Sequence, residues 1–140
     1  MQTIGEFILF SAHSPPMLVS TEYDVIVIRQ EVRQTARALG MSLIQQAKIA
    51  AAVSSVARGL LAFNRNTTIT MRTTDHGLRP ALEIVCISSI DPRPDDTEEL
   101  EQTLHFGETR LLVDESDLAM VDDNALLTLR IWLGPRRSRP

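Results

Sequence analysis

The sequence predicts an α+β two-layer sandwich: a mixed, mostly antiparallel sheet with helices on one face. Three observations carry this. Two adjoining stretches, 22–39 and 42–63, repeat apolar residues at helical spacing. Two pairs of alternating apolar and β-branched runs are each joined by a short turn sequence. Between the pairs lies a Pro- and Asp-rich loop followed by short helical segments, so the order is strand, helix, helix, two strands, short helices, two strands.

Taken from the start, Glu6–Ser11 (EFILFS) reads as a short strand or an apolar docking segment, and Ser14-Pro15-Pro16 ends any regular element. Met17–Ser20 is a short strand. Thr21 and Asp24 have the spacing of a helix start, and Val25, Ile28, Val32, Ala36 and Leu39 form the apolar stripe of a helix from Glu22 to Leu39, stopped by Gly40. Ser42 and Gln45 repeat the capping-box spacing before SLIQQAKIAAAVSSVARGLLAF, which is rich in Ala and free of Pro. At about 100° per residue this long helix has two unlike stripes. Ile49, Val53, Val56 and Leu60 are bulky enough to pack on a sheet. Lys48, Ala51, Ser55, Arg58, Gly59 and Ala62 are small or polar, suited to lining a pocket or, more simply, to letting another helix approach closely.

Thr67–Thr73 and Arg79–Ser88 form a hairpin about Asp75-His76-Gly77, with Leu82, Ile84, Cys86 and Ser88 on one face. Asp91–Asp96 (DPRPDD) is a rigid loop. A helix starts at Asp95–Glu98 and runs to about His105, Phe106-Gly107 interrupts it, and a short helix covers Glu108–Asp114. Asp117–Val121 and Ala125–Leu133 close the chain as a hairpin about Asp122-Asp123-Asn124. Residues 1–133 are one domain and Gly134–Pro140 (GPRRSRP) a basic tail.

With 140 residues, 44% hydrophobic and 23% charged, the chain is an ordinary globular one. A net charge of −4 argues against a nucleic-acid partner. No apolar run reaches membrane-span length, and no basic-then-apolar leader is present. A lone Cys86 fits a reducing cytoplasm, the expected location, and a strand position makes it an inert core thiol. His13, His76 and His105 are scattered, with no spacing for a metal site. Ser54 and Ser55 have no neighbouring His to activate them. Trp132 reads as core. The acidic set Asp91, Asp95, Asp96, Glu98, Glu99 and Glu101 reads as helix-start charge on a solvated face, with an acidic docking patch as the other reading.

Four stretches bear a family texture. STEYDVIVIRQEVRQTARALG has an Arg-x-x-x-x-x-Ala-x-x-x-Gly pattern. QQAKIAAAVSSVARGLLAF, LEIVCISSIDPRP and the pair RLLVDES and TLRIWL follow. Together Ser20–Pro94 and Arg110–Leu133 resemble the small bacterial serine kinases of the GHKL ATPase superfamily that act as anti-sigma factors and stress-switch proteins. The resemblance implies a nucleotide pocket between the sheet and the long helices, built by the second helix, the third-strand loop and a glycine-rich lid.

The residues that would run that pocket are replaced. Ser55 stands where the family has its Glu base, and a serine hydroxyl is not basic near neutral pH. Gly59 stands at the Mg²⁺-binding Asn and offers no oxygen. Arg58, between them, matches some members. Ser88 falls at the adenine-binding Asp, and Ile90 and Pro92 fall at loop glycines, whose positive φ Ile cannot adopt cheaply and Pro cannot adopt at all. The lid is shortened to His105-Phe106-Gly107-Glu108, one glycine where several N–H groups would wrap phosphates. Ser55, Arg58, Gly59, Ser88, Ile90 and Pro92 are therefore vestigial pocket positions, with no catalytic residue, no metal ligand and no cofactor expected.

The expectation that follows is a non-catalytic protein–protein regulatory module of a partner-switching pathway. Its partner would be an anti-sigma antagonist domain, a sigma factor or a phosphatase. It would work as a possible homodimer through Glu6–Ser11, with no nucleic acid and no membrane. One alternative is a divergent ATP-binding kinase with a pocket rebuilt from Asp91, Glu108 or Arg110. Another is a small-molecule sensor with an open cavity lined by Ala51, Ser55, Gly59, Ser88 and Ile90.

Overall fold

A computed structural model describes residues 14–63, 66–76, 79–89, 97–104 and 106–133. Segment Glu6–Ser11, His13, the 90–96 loop with Ile90 and Pro92, His105 and the 134–140 tail lie outside the described residues.

Strand β1 (Met17–Val19) leads into helix α1 (Glu22–Ala38), and helix α2 (Leu43–Phe63) follows after four residues. The two starts are set by the sequence as expected. Thr21 and Asp24 close a capping box, in which the Thr21 hydroxyl accepts the Asp24 N–H at 3.3 Å and Asp24 accepts the Thr21 N–H at 3.0 Å. Those backbone and hydroxyl donors, the Ser20 N–H foremost, hold the Asp24 carboxyl below its ordinary pKa. Ser42 and Gln45 make the same reciprocal pair at 3.1 and 3.0 Å. Gly40, at φ +84°, provides the left-handed turn that separates the helices.

Strands β2 (Thr67–His76) and β3 (Arg79–Ser89) form the first hairpin. Pairing continues through Asp75↔Pro80 and His76↔Arg79, so Asp75 and His76 belong to the strand rather than to the expected turn. Helices α3 (Thr97–Thr103) and α4 (Phe106–Arg110) cross to β4 (Glu115–Val121) and β5 (Asn124–Trp132). Phe106-Gly107 begins α4 instead of interrupting a helix, because the buried Phe106 ring anchors that turn. Asp122, at φ +58°, opens the tight β4–β5 turn.

Among the described residues the sheet has five strands in the order β1-β2-β3-β5-β4, each pairing antiparallel. The parallel pair that a mixed sheet would contain is not among the described strands. The reason is connectivity: β5 folds back between β3 and β4 and is antiparallel to both.

One sheet face carries Ile69, Met71, Leu82, Ile84, Cys86, Leu127, Leu129 and Ile131 into a single core with the helices. α1 contributes Val25, Ile28, Val32 and Ala36, and α2 contributes Ile49, Val53, Val56 and Leu60, the bulky stripes read from the sequence. Side chains alternate along a strand, so Glu83 lies on the opposite face. There Arg72, Glu83, Arg130 and Glu115 sit side by side on four adjacent strands and form one chain of ion pairs. No helix among the described residues is long and apolar enough to cross a membrane.

Candidate functional site

Of the six pocket positions expected from the sequence, Ser55, Arg58 and Gly59 fall on α2 and Ser88 at the end of β3. On α2, Ser55 and Gly59 lie on the half-buried flank one turn apart, and Arg58 points outward. The Arg58 guanidinium meets the Glu22 carboxylate at 3.4 Å. Both side chains are more than half exposed, so the pair contributes a fraction of a kcal/mol and mainly marks where the two helices face each other. Arg58 is thereby turned toward α1.

Gly59 explains itself through its neighbour. A Cβ at this position would lie 3.2 Å from Leu104 Cδ2 and 3.6 Å from the Leu104 Cα and carbonyl oxygen. Glycine is what lets the end of α3 close onto α2. Leu104 is itself 1% exposed and sits with the fully buried Leu100 and Phe106. The small stripe of the long helix, at this point, admits a packed segment rather than a ligand. The open cavity of the small-molecule reading is thus occupied by a leucine where it meets Gly59.

Ser88 faces the helices and is fully buried, and its hydroxyl oxygen accepts the Thr67 hydroxyl at 3.0 Å across β2 and β3. That bond holds two strand ends together and satisfies a buried hydroxyl that would otherwise cost free energy. Ser54, the other serine of the long helix, donates back to the Ala50 carbonyl within the helix, so its hydroxyl is committed to the backbone. Ile90 and Pro92 lie outside the described residues, and the structure places Ser55, Gly59 and Ser88 without them.

Of the three residues offered for a rebuilt pocket, Arg110 is engaged within the fold. Arg110 binds Glu101 at 2.9 Å and lies 5.0 Å from the centroid of the Phe106 ring, tying α4 to α3. Glu108 is exposed, and Asp91 lies outside the described residues. Cys86 is fully buried, and burial pushes its thiol up to about 12, so it is a neutral core group at physiological pH. Among the described residues no group of three His, Cys, Asp or Glu side chains comes together as a metal site.

One cluster went unread in the sequence. Glu83 is 2% exposed, yet it is charged. Burial by itself raises its carboxyl, but hydrogen bonds from Arg130 and Arg72 outweigh burial and leave the pKa below its ordinary value. Arg130 in turn reaches Glu115, and a cleft of about 730 Å³ opens beside it, lined by Arg110, Asp114, Ser116, Asp117 and Thr128. Asp114 accepts the Trp132 N–H at 2.7 Å, so of the lining charges Arg110, Arg130 and Asp114 are already paired within the fold. Trp132 lies on the same outward side as Glu83, under the Arg79 guanidinium at 4.1 Å, instead of in the core. The signal for this cluster was one charge in each of three otherwise apolar or β-branched runs, TTITMRT, LEIVC and TLRIW.

Comparison with known protein families and with curated proteins finds no match for the chain.

Proposed function

We propose that the chain is a degenerate relative of the GHKL serine kinases and serves as a non-catalytic regulatory module. It binds a protein partner of a phosphorylation-controlled switch in the cytoplasm without phosphorylating it. The observation that carries this reading is Leu104 packed against Gly59. In the resembling kinases a metal-binding Asn occupies that helix position and the triphosphate lies in front of it. A buried leucine is the wrong neighbour for a hydrated cation and four phosphate charges, because burying charge without a partner is costly. Ser55 offers no base beside it, and the Ser88 hydroxyl is engaged with Thr67.

The test is a melting curve of the full chain with and without ATP and Mg²⁺. A ligand at 100 times its Kd adds about 2.7 kcal/mol to stability. No shift up to millimolar nucleotide is expected. A magnesium-dependent rise in Tm would restore the kinase reading and remove this one.

A further inference from the structure

The chain is acidic overall, but its α1–α2 hairpin is not. Residues 22–63 hold five of the fourteen Lys and Arg residues and only three of the eighteen Asp and Glu residues. Two of those three acids are used: Glu22 meets Arg58, and Asp24 caps α1. The third, Glu31, projects to the other flank of α1, about 160–200° around from Arg29 and Arg33. Arg29, Arg33 and Arg37 repeat every four residues, are all exposed, and make no ion pair among the described residues. They climb the side of α1 that carries Glu22, and Glu22 is where that side meets Arg58.

The facing side of α2 is the small stripe. Ile44, Lys48, Ala51, Ser55 and Arg58 recur at three- and four-residue spacing and so share one side. Lys48 is exposed and unpaired among the described residues, while Ala51 and Ser55 are half-buried beneath it. Because α1 and α2 run antiparallel through a four-residue link, Arg37 stands level with the first turn of α2, the end that holds Ile44. Exposed apolar side chains interleave with the cations: Ile26 is 53% exposed and Ile44 is 69% exposed.

We propose that this outer side of the hairpin docks an acidic amphipathic helix of a partner protein. The arginines on α1 are about 6 Å apart along the axis, the rise of four residues, which matches carboxylates placed every fourth residue on a helix lying alongside. Partner leucines would cover Ile26 and Ile44, and the low floor at Ala51 and Ser55 gives the helix room to approach. An acidic protein repels a polyanion over its remaining surface, which favours a partner with a few carboxylates over a nucleic acid. The proposal rests on the reading of the chain as a protein-binding module and names the chemistry of what it binds.

The probe is a fluorescent helical peptide of about 18 residues with Glu every fourth residue and Leu on the adjoining stripe, titrated with the full chain by anisotropy. It should bind roughly tenfold or more tightly than two controls, one with Gln for every Glu and one with Ser for every Leu, and should weaken as salt rises. The triple change Arg29→Gln, Arg33→Gln and Arg37→Gln should reduce binding about tenfold at unchanged Tm, and Lys48→Gln alone about threefold. Arg110→Gln, which lies on α4, should leave binding unchanged. Equal binding of the Glu and Gln peptides, no binding, or indifference to the arginine and Lys48 changes overturns the proposal. So does tighter, arginine-dependent binding of a single-stranded RNA or of anionic phospholipid vesicles. Stabilisation by ATP and Mg²⁺ would remove the functional reading without touching this result, so the two failures are distinct.

Discussion

The contact between Leu104 and Gly59 can be measured as a coupling energy. Leu104 is 1% exposed, and truncating such a leucine to Ala removes its transfer free energy and leaves a cavity. The expected cost is about 2–5 kcal/mol, which lowers Tm by roughly 3–5 °C per kcal/mol in a domain of this size. Gly59→Ala acts in two opposing ways. A mid-helix Ala is favoured over Gly by about 1 kcal/mol. The new Cβ would also sit 3.2 Å from Leu104 Cδ2, tighter than ordinary contact, and the leucine must give way. In the native background these effects offset each other, and Gly59→Ala should change stability by less than about 0.5 kcal/mol. In the Leu104→Ala background the clash is gone, and Gly59→Ala should stabilise by about 1 kcal/mol. Urea unfolding of the four proteins gives the coupling directly. Additivity within about 0.5 kcal/mol would show that Leu104 does not fill the space before Gly59, and the closed-site argument would fall with it.

Glu83→Gln removes the charge shared by Arg72 and Arg130 and should cost about 3 kcal/mol, the low end for a buried pair, because the Arg72 side chain is 40% exposed. The folded pKa of Glu83 lies below its ordinary 4.5, so the stability it contributes is present above that value and is lost as pH falls through the folded pKa. Denaturation followed from pH 7 downward should show that loss in the native chain and a shallower one in Glu83→Gln. An equal acid dependence in both would refute the assignment. Cys86, buried and with its thiol near 12, should react with a thiol reagent at pH 8 only as fast as the protein unfolds. Burst labelling of the native chain would place the thiol at the surface.

Much of the fold was legible because its signals are local. The two capping boxes, the stop at Gly40 and the apolar stripes of α1 and α2 depend on residues three or four apart. The alternation of Leu82, Ile84 and Cys86 likewise placed the core face of β3. Errors arose where distant segments decide: Phe106 starts a helix because its ring is buried, and Asp75 stays in a strand because Pro80 pairs opposite it. At the candidate site, sequence spacing put Ser55 and Gly59 on one flank of one helix. It could not say what stands in front of them.

Capping spacing and apolar periodicity alone therefore determined the elements and their order. Tertiary structure decided that the described strands all pair antiparallel, that Leu104 occupies the space beside Gly59, and that Glu83 joins two arginines from other strands. The division has a physical cause. Caps, turns and stripes are settled by hydrogen bonds and burial within a few residues. Register, the filling of a cavity and the pairing of a buried charge depend on side chains far apart in sequence, brought together only by packing.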